Sequence, residues 1–331
     1  MTDTSVKLRD GIEVRLDSGE RVVADATTPD GDLNILSHAH GDHLYMEPPE
    51  AVICSATTAA LAEARRSGSR RPRIVEHPRV ELLPAGHVPG SRAAVLSGET
   101  ATVLYTGDIS TRDRFYMDGF APVSADVLVI EATYGKPEYE LPDQQETETA
   151  FVEWLNETWE TPVIAFGYTL GRAQELIKLG ERSDRTEVYV TDAIASINEV
   201  IADESDVAFD ATLYQQSTTL GSGELLVLPA QTNRLAFVDR IVEETDAIKV
   251  GVSGWAIDSS FKFRGDYDKT FPLSDHCDFP ELLEVVEQVD PAQVYTNHGF
   301  ASSLAKEITQ RLGYPAQALK TNQRTLSEFW E

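Results

Sequence analysis

At 331 residues the chain exceeds one typical domain, so two packed units are expected. Its 55 acidic against 28 basic residues give a formal net charge of -27, a self-repelling, halophilic composition suited to a high-salt cytoplasm. The absence of a signal-like start or a run of about 18 apolar residues argues against a membrane protein and for a cytoplasmic one. The two cysteines, Cys54 and Cys277, argue against a disulfide framework.

In chain order, residues 1–142 read as short strands and turns, interrupted by a helical stretch at 56–66. From Gln144 the texture changes to alternating helix and strand. Helices are predicted at 147–157, 172–179, 194–202 and 235–244, and strands at 162–166, 187–190, 224–228 and 248–252. Such alternation predicts a βα sheet domain with helices on its faces. After a polar stretch, 258–269, the style of the first part returns at 270–298, and a helix at 302–312 follows. The division is therefore 1–142, an inserted 143–258, and a returning 259–331.

The most informative segment is 37–44, where His38, His40, Asp42 and His43 fall within six positions directly after an apolar run. A loop leaving a strand with this spacing presents four metal-binding groups to one pocket. The spacing suits two adjacent ions better than one. Of the seven histidines, four lie outside this segment. His87 sits in a Gly-flanked turn, where the backbone can approach a ligand. His276 and His298 border short apolar runs, whereas His77 has no such setting and reads as an ordinary surface histidine. Asp25, Asp108 and Glu131 each end an apolar strand. One such acid alone is as well explained as a turn former or cap; three of them repeat one design, a buried strand followed by a ligand.

The order Asp25, His38-x-His40-x-Asp42-His43, His87, Asp108 resembles the metal motifs of the metallo-β-lactamase superfamily. Glu131 in Glu-Ala-Thr-Tyr-Gly, the segment from Gly171 to Glu175, His276 in Leu-Ser-Asp-His-Cys-Asp and His298 in Asn-His-Gly resemble its β-CASP branch, the nucleic-acid-processing members. The likeness covers nearly the whole chain. From Ser253-Gly254-Trp255 onward it is similar to the short proteins described as mRNA 3′-end processing factor-like or as DNA-ligase-associated exonucleases. The resemblance implies a layered α/β fold: an αββα sandwich with an inserted βα cap, the chain returning to supply the last ligands. Because the segment before Asp25 is short, it also implies that the first strands of the sandwich are trimmed.

By that resemblance His38, His40 and His87 hold one metal, Asp42, His43 and His298 the other, and Asp108 bridges the two. Asp25 orients a ligand imidazole from behind. Two zinc ions suit so imidazole-rich a site, with manganese the alternative. Ions about 3.5–4 Å apart activate water and clamp a scissile phosphate. The leaving oxygen needs a proton, and His276 is the candidate general acid, aimed by Glu131; with Asp42 they form the catalytic set. The alternative role for His276 is to cap a helix at 280–289, for which Asp278 is the better residue.

For the substrate, Arg65, Arg66, Arg70, Arg71 and Arg73 read either as an exposed helix end or as a phosphate-contact patch. Gly171 and Arg172 open a helix whose free amides suit a phosphate, the alternative being an arginine on a solvated face. Tyr134 and Tyr168 are candidates to stack on bases, although packing at a domain seam is the commoner case. The function implied is a two-metal nuclease for RNA 3′-end processing or RNA exonuclease action. A DNA-repair exonuclease of the ligase-associated type is the first alternative, and a non-cutting RNA-binding scaffold the second. A glyoxalase II-like ester hydrolase is opposed by the insertion, Glu131 and His276. The partners expected are nucleic acid, RNA ahead of DNA, and a second copy or a nucleic-acid-processing protein, with no membrane.

Overall fold

The computed structural model describes residues 4–66, 71–215 and 217–320. Two compact units divide the chain: one built from both ends, up to Glu140 and from His276, and one continuous, Leu141–Asp275.

The first unit is a pair of sheets. Ser5–Leu8, Ile12–Arg15, Arg21–Ala24 and Leu33–Ile35 form one sheet in sequence order, antiparallel except for the last pair, which is parallel. Three strands therefore precede Asp25, where a trimmed start was expected; Gly19, with φ 102°, makes the tight reversal that lets so short a segment hold them. The second sheet runs in the order Ala316–Ala318, Gln293–Asn297, Val127–Glu131, Thr102–Tyr105, Arg92–Ser97 and Val80–Pro84.

Successive side chains of its central strands point to opposite faces. Val103, Tyr105 and Val129 pack with Val14, Val22 and Ile35 of the first sheet. Leu104, Leu128 and Ile130 face the other way, onto Leu282, Val285 and Val286 of the helix Phe279–Val289 and Leu304 of the helix Ala301–Glu307. The first of these helices starts at Asp278, whose carboxylate accepts from the Glu281 amide (3.1 Å) while Glu281 Oε2 accepts from the Asp278 amide (2.9 Å).

Among the described residues the second unit has six strands, all parallel, in the order Thr212–Leu213, Glu187–Val190, Glu224–Pro229, Val163–Gly167, Ile248–Val252 and Lys269–Phe271. Val163–Gly167 is buried throughout, as expected of a strand covered on both faces. Helices Gln144–Glu157, Arg172–Glu181, Asp192–Glu204 and Ala236–Thr245 alternate with the strands. This unit runs to Asp275 rather than to 258, because Lys269–Phe271 pairs with Ile248–Val252 as an edge strand. The polar stretch before it holds a short helix, Ser260–Gly265. Among the described residues no helix is long and apolar enough to cross a membrane.

Leu104 is fully buried between its strand neighbours and the helical layer. Leu104→Ala should lower the unfolding free energy by about 2–5 kcal/mol, read from urea denaturation. A loss below about 0.5 kcal/mol would show that this face is not a packed core.

Candidate metal centre

Thr102–Tyr105, Val127–Glu131 and Gln293–Asn297 are mutually parallel, so Asp108, Glu131 and His298 emerge along one edge of the sheet. Two antiparallel steps bring Val80–Pro84 into the same direction, which delivers His87 to that edge. In the other sheet the parallel pair Arg21–Ala24 and Leu33–Ile35 supplies Asp25 and the histidine loop.

His38, His40, His87 and Asp108 form one group, and Asp25, His38 and His43 another, with ligand-type atoms in each within 4.8 Å of one another. Asp108 Oδ2 lies 3.5 Å from His38 Nε2, 3.4 Å from His43 Nε2 and 3.8 Å from His87 Nε2. One carboxylate oxygen thus faces three imidazoles. His87 Nε2 is 3.0 Å from His40 Nδ1. Asp42 and His298 belong to neither group: Asp42 Oδ2 is 4.0 Å from His43 Nε2 with its side chain 77% exposed, and the His298 ring is 5.0 Å from that of His43.

Asp25 is buried behind the cluster. Its carboxylate accepts from Ser37 N (2.7 Å), Ser37 Oγ (2.5 Å) and Tyr105 Oη (2.7 Å), and its Oδ2 lies 2.9 Å from His43 Nδ1. That contact turns His43 Nε2 toward Asp108. Asp25 and His298 both adopt left-handed backbone, φ 51° and 58°, which is uncommon outside glycine. Gly107, at φ 55°, lies so close that a Cβ there would come within 2.7 Å of Ser37 Cβ.

The donors fit a metal ion. His38 is fully buried, yet its Nε2 has no hydrogen-bond partner, a costly arrangement that a cation relieves. Neutral imidazoles with a few carboxylates are a donor set for zinc. Burial, reinforced by His43, holds the His38 imidazole well below its ordinary range, although Asp108 opposes this. Burial also acts to lower His43, but Asp108 and Asp25 outweigh it and hold that imidazole well above its ordinary range. A metal held by His43 Nε2 would displace the proton that this raised pKa favours. Asp108, despite burial, is held well below the usual carboxylate range by His43 and His38. Burial and then Asp25 push the Tyr105 hydroxyl up, so it remains a donor.

Beside the cluster, His276 Nδ1 lies 2.9 and 3.0 Å from the two carboxylate oxygens of Glu131, and its ring is 4.4 Å from that of His87. Glu131 is fully buried and accepts from Ile109 N (2.8 Å) and Thr133 N (3.3 Å). Asp108, Glu131 and His276 also lie close enough to form a metal-type group. The neighbouring helix is capped by Asp278, which leaves the His276 ring to Glu131. Tyr134 is buried, its ring edge-on to His276 at 6.1 Å, whereas Tyr168 is 54% exposed.

The other candidates are dispersed. Arg66 donates to the Leu44 carbonyl (3.1 Å) and lies 5.7 Å from the Tyr45 ring, and Arg71 donates to the Ala56 carbonyl (3.3 Å). Arg65 and Arg73 are exposed, and Arg70 lies outside the described residues. Gly171, at φ 93°, opens its helix with the amide donating to Gln174 Oε1 (2.7 Å). Arg172 is buried, donates to Glu175 and lies 3.6 Å from Asp275, so it meets carboxylates and not a solvated face. Sequence reasoning missed Ser37 and Tyr105. Ser37 had a signal, standing directly before His38; Tyr105 had only its place at the end of an apolar strand.

The two-sheet fold gathers imidazoles and carboxylates at its strand ends, which is the class of site a metal-binding protein presents. Residues 269–319 match the family described as "Zn-dependent metallo-hydrolase RNA specificity domain". A protein of Opitutus terrae named "Probable DNA ligase" is 33% identical over 291 residues, covering 84% of this chain and 28% of its own length. "Probable RNase MJ4" of Methanocaldococcus jannaschii is 35% identical over 104 residues, 29% of this chain and 24% of its own length. This chain therefore corresponds to a minor part of each. A crystal structure of a protein of unknown function from Enterococcus faecalis aligns with a TM-score of 0.58 over 97% of this chain and 98% of that one, at 13% identity, a likeness of fold. These matches indicate the β-CASP branch of the metallo-β-lactamase superfamily, the one that the sequence motifs resemble.

Asp25→Ala removes the acceptor that orients His43. Its zinc affinity, measured by chelator competition, should fall by about 10–100-fold; an unchanged affinity would show that Asp25 serves the backbone alone.

Proposed function

We propose that the chain is a metal-dependent nuclease that hydrolyses phosphodiester bonds, with RNA as its first substrate. The observation that carries this reading is the imidazole–carboxylate cluster with His276 beside it, braced by the buried Glu131 and itself 17% exposed. The division of ligands expected from sequence, His38, His40 and His87 for one ion and Asp42, His43 and His298 for a second, is supported by the position of Asp108 between His38, His43 and His87. Metal bound there supplies Lewis-acid charge for a phosphoryl oxygen and lowers the pKa of water. Because Glu131 engages His276 Nδ1, the opposite nitrogen, Nε2, is the one that hands a proton to the leaving oxygen. The exposure of Arg65, Arg71 and Arg73 supports the reading of this segment as a phosphate-contact patch.

The match over 269–319 and the relative named as an RNase support RNA. The relative named as a probable DNA ligase supports the second reading, a DNA exonuclease that works beside a ligase.

Matched labelled RNA and single-stranded DNA, with zinc and then manganese, should show faster cleavage of RNA. Preference for DNA would favour the second reading, and no cleavage of either would favour the scaffold. Asp42→Ala should lose bound zinc, by elemental analysis, and lose cleavage; full zinc and full activity would refute its role. His276→Ala should keep its zinc yet cut about 100-fold or more slowly. Loss of zinc in that variant would make His276 a ligand instead of the acid.

A further inference from the structure

We propose that Arg114 is a positioning residue for the metal centre, acting through the backbone on either side of His87. Arg114 is among the largest fully buried side chains, 2% exposed, and enclosing a guanidinium in this way is costly. Its Nη2 donates to the carbonyl of Gly86 and, at 2.6 Å, to the carbonyl of His87. Those carbonyls belong to the two peptide groups flanking the His87 α-carbon. One nitrogen therefore fixes the backbone rotation that aims the imidazole at His40 Nδ1, 3.0 Å away, and Asp108, 3.8 Å away.

The clamp has a rigid base. Arg114 and Met117 exchange backbone hydrogen bonds of 2.9 and 2.7 Å across a tight turn, with Phe115 in left-handed backbone at φ 48°. The same loop grips the other side of the His87 turn, the Ser110 amide donating to the Ala85 carbonyl (3.0 Å). Gly86, at φ 69°, has no room for a side chain, since a Cβ would stand 2.1 Å from the Ser110 carbonyl oxygen. The chemistry of arginine suits the task. Its guanidinium stays protonated and presents donors in a fixed plane, whereas a lysine ammonium is a single rotating point charge.

The inference rests on the metal reading of the cluster. The test is zinc affinity by chelator competition for the full chain, with Arg114→Lys and Arg114→Met, each in the wild-type and the His87→Ala background. Circular dichroism of the zinc-free proteins reports folding. Expected is a loss of about 10–100-fold in zinc affinity for both variants when His87 is present, and no further loss when it is absent. Unchanged affinity, an equal loss in both backgrounds, or failure of both variants to fold without zinc would overturn the proposal. A wild-type chain that binds no zinc would overturn the metal reading and this proposal with it, which separates the two failures.

Discussion

The Asp25 carboxylate ties the two sheets of the first unit to the histidine loop. It stands at the end of a strand in one sheet, accepts a hydrogen bond from Tyr105 in the other, and receives the amide and hydroxyl of Ser37 and the ring of His43. A buried carboxylate is tolerated only when its lone pairs are satisfied, and here, Tyr105 apart, the groups that satisfy it belong to the imidazole cluster and its loop. The left-handed backbone at Asp25 is the cost of turning the chain sharply enough to place that carboxylate.

Much of the second unit was legible because its strands are rich in β-branched and aromatic residues between helical stretches; Glu187–Val190 and Ile248–Val252 have the bounds their composition suggests. Helix starts were less so. Gln144–Glu157 begins three residues earlier than its apolar pattern, because Asp143 accepts from the Glu146 amide and so supports a polar first turn. Thr212–Leu213 left no pattern, being two exposed residues on a sheet edge. The histidines and acids of the centre stood out because few residue types bind metals. Their supports did not. Tyr105 meets Asp25 across 80 positions of sequence, and no local spacing encodes that meeting. Arg172 read as a phosphate contact or a solvated cation, and its burial against Glu175 and against Asp275, far along the chain, had no local signature.

The net charge of -27 conceals a second use of arginine. Arg114 and Arg185 point inward at backbone carbonyls: Arg185 donates to those of Leu155, Thr158, Thr161 and Glu224, closing the carboxyl end of the helix Gln144–Glu157. A cation near that end also opposes the helix dipole. Burial lowers the Arg185 pKa to about 10, which still leaves it charged at neutral pH. Surface charge and interior cations thus follow different rules, the first set by solvation and the second by unmet carbonyl groups.

The first unit is discontinuous, and this bears on how the protein is made. Val127–Glu131 lies between Thr102–Tyr105, synthesised shortly before it, and Gln293–Asn297, synthesised only after the whole second unit has emerged. A nascent chain must therefore carry an apolar strand with one hydrogen-bonding edge open while the second unit is being translated. Such an edge invites pairing with other chains. That edge stays open from the completion of residue 131 until that of residue 297, and pauses within the second unit would lengthen the interval.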